Sequence, residues 1–334
     1  MMMSYRILVL TDHSGHSDQN SIYAILNQMK DHPRCQSIDV VSRGLEENRS
    51  FFDDMQIDSL LGVSVTNEFR YSKTGNSFKT SLSKLLVKDY DIVLLRLPRP
   101  ISDEFLNWIS EVLSHTYIIN NPKGIIKTSN KKYLVNFPEI CPDVRLCHSI
   151  KEIKEELAKY PIVLKPLKEY GGRGLLMIED DTINDGNNEY DTHDYLAAIE
   201  GKIIKDGYLS MRYLRNVRQG DKRIIVVGGV IMAASLRLPK EGNWLCNVSQ
   251  GGKSVASKVT AREQEIIDQL NPILESEGIF IYGVDTLVDD NGERVLSEIN
   301  TLSIGGFPQA EVQSGKPIIK KLIDKIFEHA DQRT

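Results

Sequence analysis

Four cysteines, at positions 35, 141, 147 and 246, are all the chain has, and none form a Cys-x-x-Cys pair. A disulfide scaffold is thereby excluded. Cys141, Cys147 and His148 could be drawn as metal ligands, but they read as ordinary residues of a reducing compartment. Long apolar runs are missing too. No stretch approaches the roughly 20 residues a membrane helix needs, and Ile7-Leu8-Val9-Leu10 is too short for a signal peptide. A cytoplasmic protein is expected. Charge of one sign is scarce: 41 Lys and Arg against 46 Asp and Glu leave −5. This is no footprint for a nucleic-acid coat or an anionic membrane, although a local basic pocket remains compatible with it. Gly (23) and Pro (12) are too few for a collagen-like or low-complexity chain.

What is present suits a folded protein of 334 residues, 41% hydrophobic and 26% charged. At about 150 residues per domain, two or three domains are expected. The first 120 residues alternate strand and helix signals. Strands are read at Arg6 to Thr11, Ile38 to Val41, Asp91 to Leu95 and Tyr117 to Ile119. Helices are read over Ile22 to Met29, capped by Ser17 or Asp18, and over Ser102 to Leu113. Such alternation implies a parallel, doubly wound sheet. Residues 45–80 carry no clear order. Asn121-Pro122 opens a further helix, and Ser149 to Glu152 reads as a capping box. Beyond residue 208 hairpins take over, around Gly228-Gly229 and Asn291-Gly292. Leu238 to Thr260 has little periodicity and reads as a functional lid or a disordered loop.

The hairpin at Asn291-Gly292 is the most informative feature. A two-residue turn there places Asp285 directly opposite Glu298, with Asn300 on the same face. Facing like charges are destabilising, and a hard divalent cation relieves them. Spacing alone leaves a solvent-facing pair or a different register open. A second feature is basic. Lys165 interrupts an Ile-Val-Leu strand, and Gly171-Gly172-Arg173-Gly174 follows, a turn whose N–H groups could approach a phosphate. Lys132, Arg223 and Arg237 add cations that, taken singly, are ordinary surface charges. Gly252-Lys253-Ser254 mimics the end of a P-loop, but Asn247 stands where its first glycine belongs. Gly172-Arg173-Gly174 is no dinucleotide fingerprint. His13, Gly15 and His16 follow the first strand and could line a crevice.

Together these segments resemble the ATP-grasp ligases, and prokaryotic glutathione synthetase in particular. VLKPLKEYGGRG (163–174), QGDKRIIVVGGVIMAASLRLP (219–239) and GIFIYGVDTLVDDNGERVLSEIN (278–300) carry the likeness. DIVLLRLPRPISDEF (91–105) and INNPKGIIKTSNKKYL (119–134) extend it. The resemblance implies an α/β domain over 1–121, a lid with its connecting helix over 122–206 and an α+β catalytic core over 207–334. It implies an ATP-dependent ligase that joins a carboxylate to an amine through an acyl phosphate, most simply γ-glutamylcysteine to glycine. A ligase of other amino acids or peptides, and a non-catalytic nucleotide-binding regulator, are the alternatives.

Carried over residue by residue, Lys132 and Lys165 would hold ATP phosphates beneath a loop of Gly171, Gly172 and Gly174. Asp221 would face the ribose. Arg223 and Arg237 would stabilise the transferred phosphoryl group. Asp285, Glu298 and Asn300 would bind two Mg²⁺, with Mn²⁺ as an alternative, Glu298 being shared between them. Arg96, Asn247 and Ser303 would lie beside the substrates. Three departures fall on the substrate side: Leu245 where the family has Arg, Leu302-Ser303-Ile304 for Thr-Ser-Pro, and Arg96-Leu97-Pro98-Arg99-Pro100 without the family's Asp. Small-molecule substrates are implied, with no nucleic-acid or membrane partner. A homo-oligomer is compatible with the sequence.

Overall fold

The computed structural model describes residues 3–57, 60–246 and 251–333. Three sheets follow one another along the chain. The first contains β1 (Tyr5–Thr11), β2 (Cys35–Ser42), β3 (Leu60–Ser64), β4 (Ser83–Leu85), β5 (Ile92–Arg96) and β6 (Tyr117–Ile119). Their spatial order is β4-β3-β2-β1-β5-β6. β1, β2, β5 and β6 run parallel as the alternation predicts. β3 comes from the stretch without clear order and β4 follows just after it; β3 runs antiparallel to both β2 and β4, so the sheet is mixed rather than purely parallel. The strand order reverses between β1 and β5, which is where an open α/β sheet leaves a crevice at its carboxyl ends. The first helix, Ser21–Met29, is capped by Asn20 rather than Ser17 or Asp18.

The second sheet is antiparallel: β7 (Val144–Cys147), β8 (Ile162–Pro166), β9 (Leu176–Glu179), β10 (Thr182–Asn184), β11 (Glu189–Asp191) and β12 (Tyr208–Arg212). It has its own small core, in which Ile162, Leu164 and Ile178 meet Ile153, Leu196 and Ile203 of the covering helices. Strand alternation then turns Val163 and Lys165 to the opposite face. The expected boundary at 206 is displaced, because β12 pairs with β7 and β8 in this sheet and not with the third.

The third sheet has the order β15-β14-β13-β16-β17. Its strands are β13 (Asp221–Val227), β14 (Val230–Leu238), β15 (Lys253–Ser257), β16 (Ile281–Val288) and β17 (Arg294–Asn300). β15 corrects the reading of 238–260 as one long loop. Gly228 and Gly229 form the two-residue turn between β13 and β14, both with positive φ (52° and 72°) as that tight turn requires. The helix Ala261–Ser276 covers one face, with Ile266, Leu270 and Leu274 against Ile224, Val284 and Leu296. No helix among the described residues is long and apolar enough to cross a membrane.

Candidate active site

Asp285 does face Glu298, but by another route than a two-residue turn. The loop is three residues, Asp290-Asn291-Gly292, closed by Asp289 N–H, which donates to the Glu293 carbonyl at 2.8 Å. Near the tip the pairing is Val288 with Arg294 and Thr286 with Leu296. Ser297 is then a bulge, after which Asp285 pairs with Glu298 and Gly283 with Asn300. The longer loop shifts the register by one residue, and the bulge shifts it back.

On the same face, β13 and β14 bring their own charges. Arg223 is the cross-strand neighbour of Asp285, and Asp221 that of Arg237. Arg223 grips Asp285 with both Nε and Nη2, the latter at 2.7 Å. Arg237 Nη2 reaches Asp221 Oδ2 at 2.6 Å and Asp285 Oδ2 at 2.9 Å. Asn300 Nδ2 donates to Asp285 Oδ2 at 3.4 Å. Two guanidiniums beside Asp285 overcome its burial and hold its carboxyl below the usual range. Burial and the neighbouring Asp285 instead push Asp221 up to about 6. Guanidinium groups thus answer the acidic face within the protein. Asp221 Oδ1 and Arg237 Nε nevertheless remain buried without a hydrogen-bond partner. The donor set of Asp285, Glu298 and Asn300 is oxygen throughout, and with that orphaned carboxylate oxygen beside it, the residues fit a hard divalent cation.

Facing this sheet across a cleft of about 750 Å³ is the second sheet, a volume within the range of small-molecule sites. At one end Lys165 is 7% exposed, donates to the Ser297 carbonyl at 3.1 Å, and has its pKa lowered by burial. The other lysine there is Lys131, which lies 3.3 Å from Glu298 and 5.0 Å from the centre of the Tyr170 ring. This corrects the expectation for Lys132, which is exposed and outside the cleft. Asn130 caps this turn by accepting from Lys132 N–H, and that turn sends residue 131 inward and residue 132 outward. Gly171 and Gly172 line the cleft, and both have positive φ (69° and 79°). Gly174 also has positive φ (67°) but sits beside Pro166, outside the lining. Asp221 lines the cleft while engaged with Arg237. Val163, Met211, Leu214, Val217 and Leu287 form an apolar end that the sequence reading did not single out.

A second cleft, of about 430 Å³, lies between the first sheet and the core. It brings Arg96 and Ser303 together. Arg96 ends β5 beside Thr11 of β1, at the reversal of strand order. Burial lowers its pKa to about 10. Ser303, at φ 50°, donates to the Leu97 carbonyl at 2.6 Å. Asn120 joins the two units by donating to the Ile281 and Thr301 carbonyls at 2.6 and 2.8 Å. The clefts share no lining residue, yet both meet the end of β17: Ser297 and Glu298 line the first, Thr301 and Ser303 the second. Asn247 lies outside the described residues. Leu245 lines the first cleft, not the second. His13 and His16 are engaged by neighbouring side chains. His13 stacks on Phe78 and bonds Ser42, while His16 bonds Thr11 and Tyr23. Cys141 and Cys147 are buried free thiols.

Residues 130–315 match the ATP-grasp domain of prokaryotic glutathione synthetase. The chain belongs to this family. Glutathione synthetase of Brucella melitensis biotype 1 is 27% identical over 242 residues, 71% of this chain and 73% of that protein. The Gloeobacter violaceus glutathione synthetase is 27% identical over 259 residues, 73% and 74% of the two chains. Among solved structures, the D-cycloserine synthetase DcsG aligns with a TM-score of 0.65 at 12% identity, covering 97% of this chain and 99% of that one. The D-alanine-D-alanine ligase from Coxiella burnetii gives 0.64 at 13%, covering 100% and 96%. At those identities the solved structures establish the ATP-grasp fold and no more. The matched residues 130–315 contribute residues from the second and third sheets to the first cleft.

Proposed function

We propose that the chain is an ATP- and Mg²⁺-dependent carboxylate–amine ligase of the glutathione synthetase type, joining γ-glutamylcysteine to glycine. One observation carries this reading. The charged line Arg237–Asp221 and Arg223–Asp285–Glu298 lies on the sheet face that meets the first cleft, and the end of β17 leads from there to the second.

ATP is assigned to the first cleft, with its base against Val163, Met211, Leu214 and Leu287, and its phosphates toward Lys131, Lys165 and the turn at Gly171-Gly172. Asp285, Glu298 and Asn300 would hold two Mg²⁺ ions, which would neutralise phosphate charge. Arg96 and Ser303 receive the carboxylate substrate in the second cleft.

A carboxylate is unreactive toward amines because its oxygen is a poor leaving group. Its oxygen attacks the γ-phosphorus, the bond to the ADP oxygen breaks, and an acyl phosphate forms. The amine nitrogen then attacks the acyl carbon, loses a proton, and phosphate departs with the electron pair. Charge spreads over oxygens in both steps, so fixed cations do most of the work. Arg223 and Arg237, which neutralise Asp285 in the free protein, turn to the transferred phosphoryl group. Lys165 is already desolvated and needs no reorganisation. The turn over the phosphates and the second sheet exclude water from the acyl phosphate.

ADP release measured with Mg²⁺ tests the reading. Release should require γ-glutamylcysteine and glycine together. Ile304 lines the second cleft where the family motif has proline, and this favours including free amino acids and dipeptides as second-reading substrates. Nucleotide binding without turnover on any pair would make the chain a regulator instead.

A further inference from the structure

The segment Asn243–Cys246 does not hang in solvent. Leu245 and Cys246 are 3% and 5% exposed. Asn243 Nδ2 donates to the Gly186 carbonyl at 2.7 Å, and Trp244 Nε1 donates to Asn184 Oδ1 at 3.0 Å. The same Asn184 oxygen accepts from Gly186 N–H at 2.8 Å, so the β10–β11 turn and the segment are pinned at one point. Leu245 N–H donates back to Asn243 Oδ1 at 2.9 Å. At the other end the Cys246 thiol lies 3.6 Å from the Val217 carbonyl, on the turn leading into β13. The segment therefore spans from the second sheet to the third. Trp244, Leu245 and Cys246 line the first cleft together with Tyr213, Leu214 and Val217. They sit across the cleft's apolar end and not at the Arg96–Ser303 cleft. The fit against the second sheet is close: a Cβ on Gly186 would fall 2.4 Å from Leu245 Cδ1.

We infer that Leu245 is a nucleotide-binding residue, a strap that covers the nucleoside end of ATP and ties it to the position of the second sheet. This rests on assigning ATP to the first cleft. The residue type agrees with the place. A guanidinium at 245 would put a charge and five donors into a lining shared with Val217 and Leu214, whereas a leucine adds apolar surface and no unmet polar group. The departure at Leu245 then concerns the nucleotide and leaves the carboxylate and amine substrates alone.

The test is equilibrium binding of Mg²⁺ with ADP and with a non-hydrolysable ATP analogue, measured by calorimetry on the full chain, beside KM for each substrate. Leu245→Ala should weaken nucleotide binding about tenfold, as loss of buried apolar contact does, and leave KM for the carboxylate and amine within about twofold. Leu245→Arg should weaken nucleotide binding at least as much. Trp244→Phe keeps an aromatic ring, though a smaller one, and drops the bond to Asn184. It should weaken binding a few-fold, and it carries the test should Leu245→Ala fold poorly. In a Trp108→Phe background the Trp244 emission should change on nucleotide addition. Unchanged nucleotide affinity in these variants, or an effect confined to the carboxylate or amine KM, overturns the inference while leaving the ligase reading intact. A wild-type chain that binds no nucleotide overturns both.

Discussion

The two faces of the β13–β16 pair each carry buried charge, and they are finished differently. On the face under the helix Ala261–Ser276, Lys222 Nζ meets Glu263 Oε2 at 2.7 Å and the Lys258 carbonyl at 2.9 Å. Glu263 also accepts from Thr286 Oγ1 at 2.7 Å and from Thr260 N–H at 2.8 Å, which makes it both an ion-pair partner and the second half of the capping box that Thr260 opens. No side-chain atom of this network is left without a partner. On the opposite face, Asp221 Oδ1 and Arg237 Nε have none. Both faces put charge out of reach of water, which costs several kcal/mol per ion unless it is paired. The satisfied set serves the fold; the unsatisfied one, on the reading proposed above, is arranged for charges that arrive with ligands.

Four measurements break or sharpen this contrast. The largest effect is expected from Glu298→Gln. It removes one charge from the open face, and turnover should drop about 10³-fold or more while the thermal midpoint holds. Retained turnover would remove Glu298 from the metal set. On the closed face Glu263→Gln should do the reverse: stability falls by about 3 kcal/mol, read by urea unfolding, while kcat at low temperature stays near wild type. Equal losses of activity in both variants would erase the distinction. Lys165→Ala should weaken ATP binding about 10- to 100-fold, the worth of a charge-assisted hydrogen bond, with a smaller effect on carboxylate KM. The smallest effect concerns acid. Bonds from Lys222, Thr260 and Thr286 outweigh burial and hold the Glu263 carboxyl below its ordinary 4.5. The unfolded chain therefore binds the proton first, and the stability Glu263 contributes is lost as pH falls from about 4.5 through the depressed value. The slope of stability against pH in that range should be shallower in Glu263→Gln.

Much of this was legible in the sequence because it depends on local chemistry. Asn121-Pro122 and Ser102 start helices as caps do, Gly228-Gly229 turns, and the run Ile162 to Leu164 with its single Lys165 announces a strand with one polar face. What was not legible depends on contacts distant in sequence. Lys131 and Lys132 are equivalent until a capped turn rotates one inward. The order of 45–80 is set by pairing with β2, and β12 could join either neighbouring sheet by its own pattern. Leu245 shows the same limit: its residue type says apolar surroundings, but only the packing of the β10–β11 turn says which cleft those surroundings belong to.

The bulge at Ser297 has a mechanical meaning. An unpaired residue in a ladder frees its carbonyl, and Lys165 takes it. The bulge also sets the register between the hairpin tip and the acidic face. Without it, every side chain from 298 to 300 would rotate to the other side: Ile299 would meet the charged face of Arg223 and Asp285, and Glu298 and Asn300 would be driven into the hydrocarbon beneath the helix. A deletion of this one small serine should thus be far more damaging than its conversion to alanine, since what matters is the presence of a residue there and not the hydroxyl it carries.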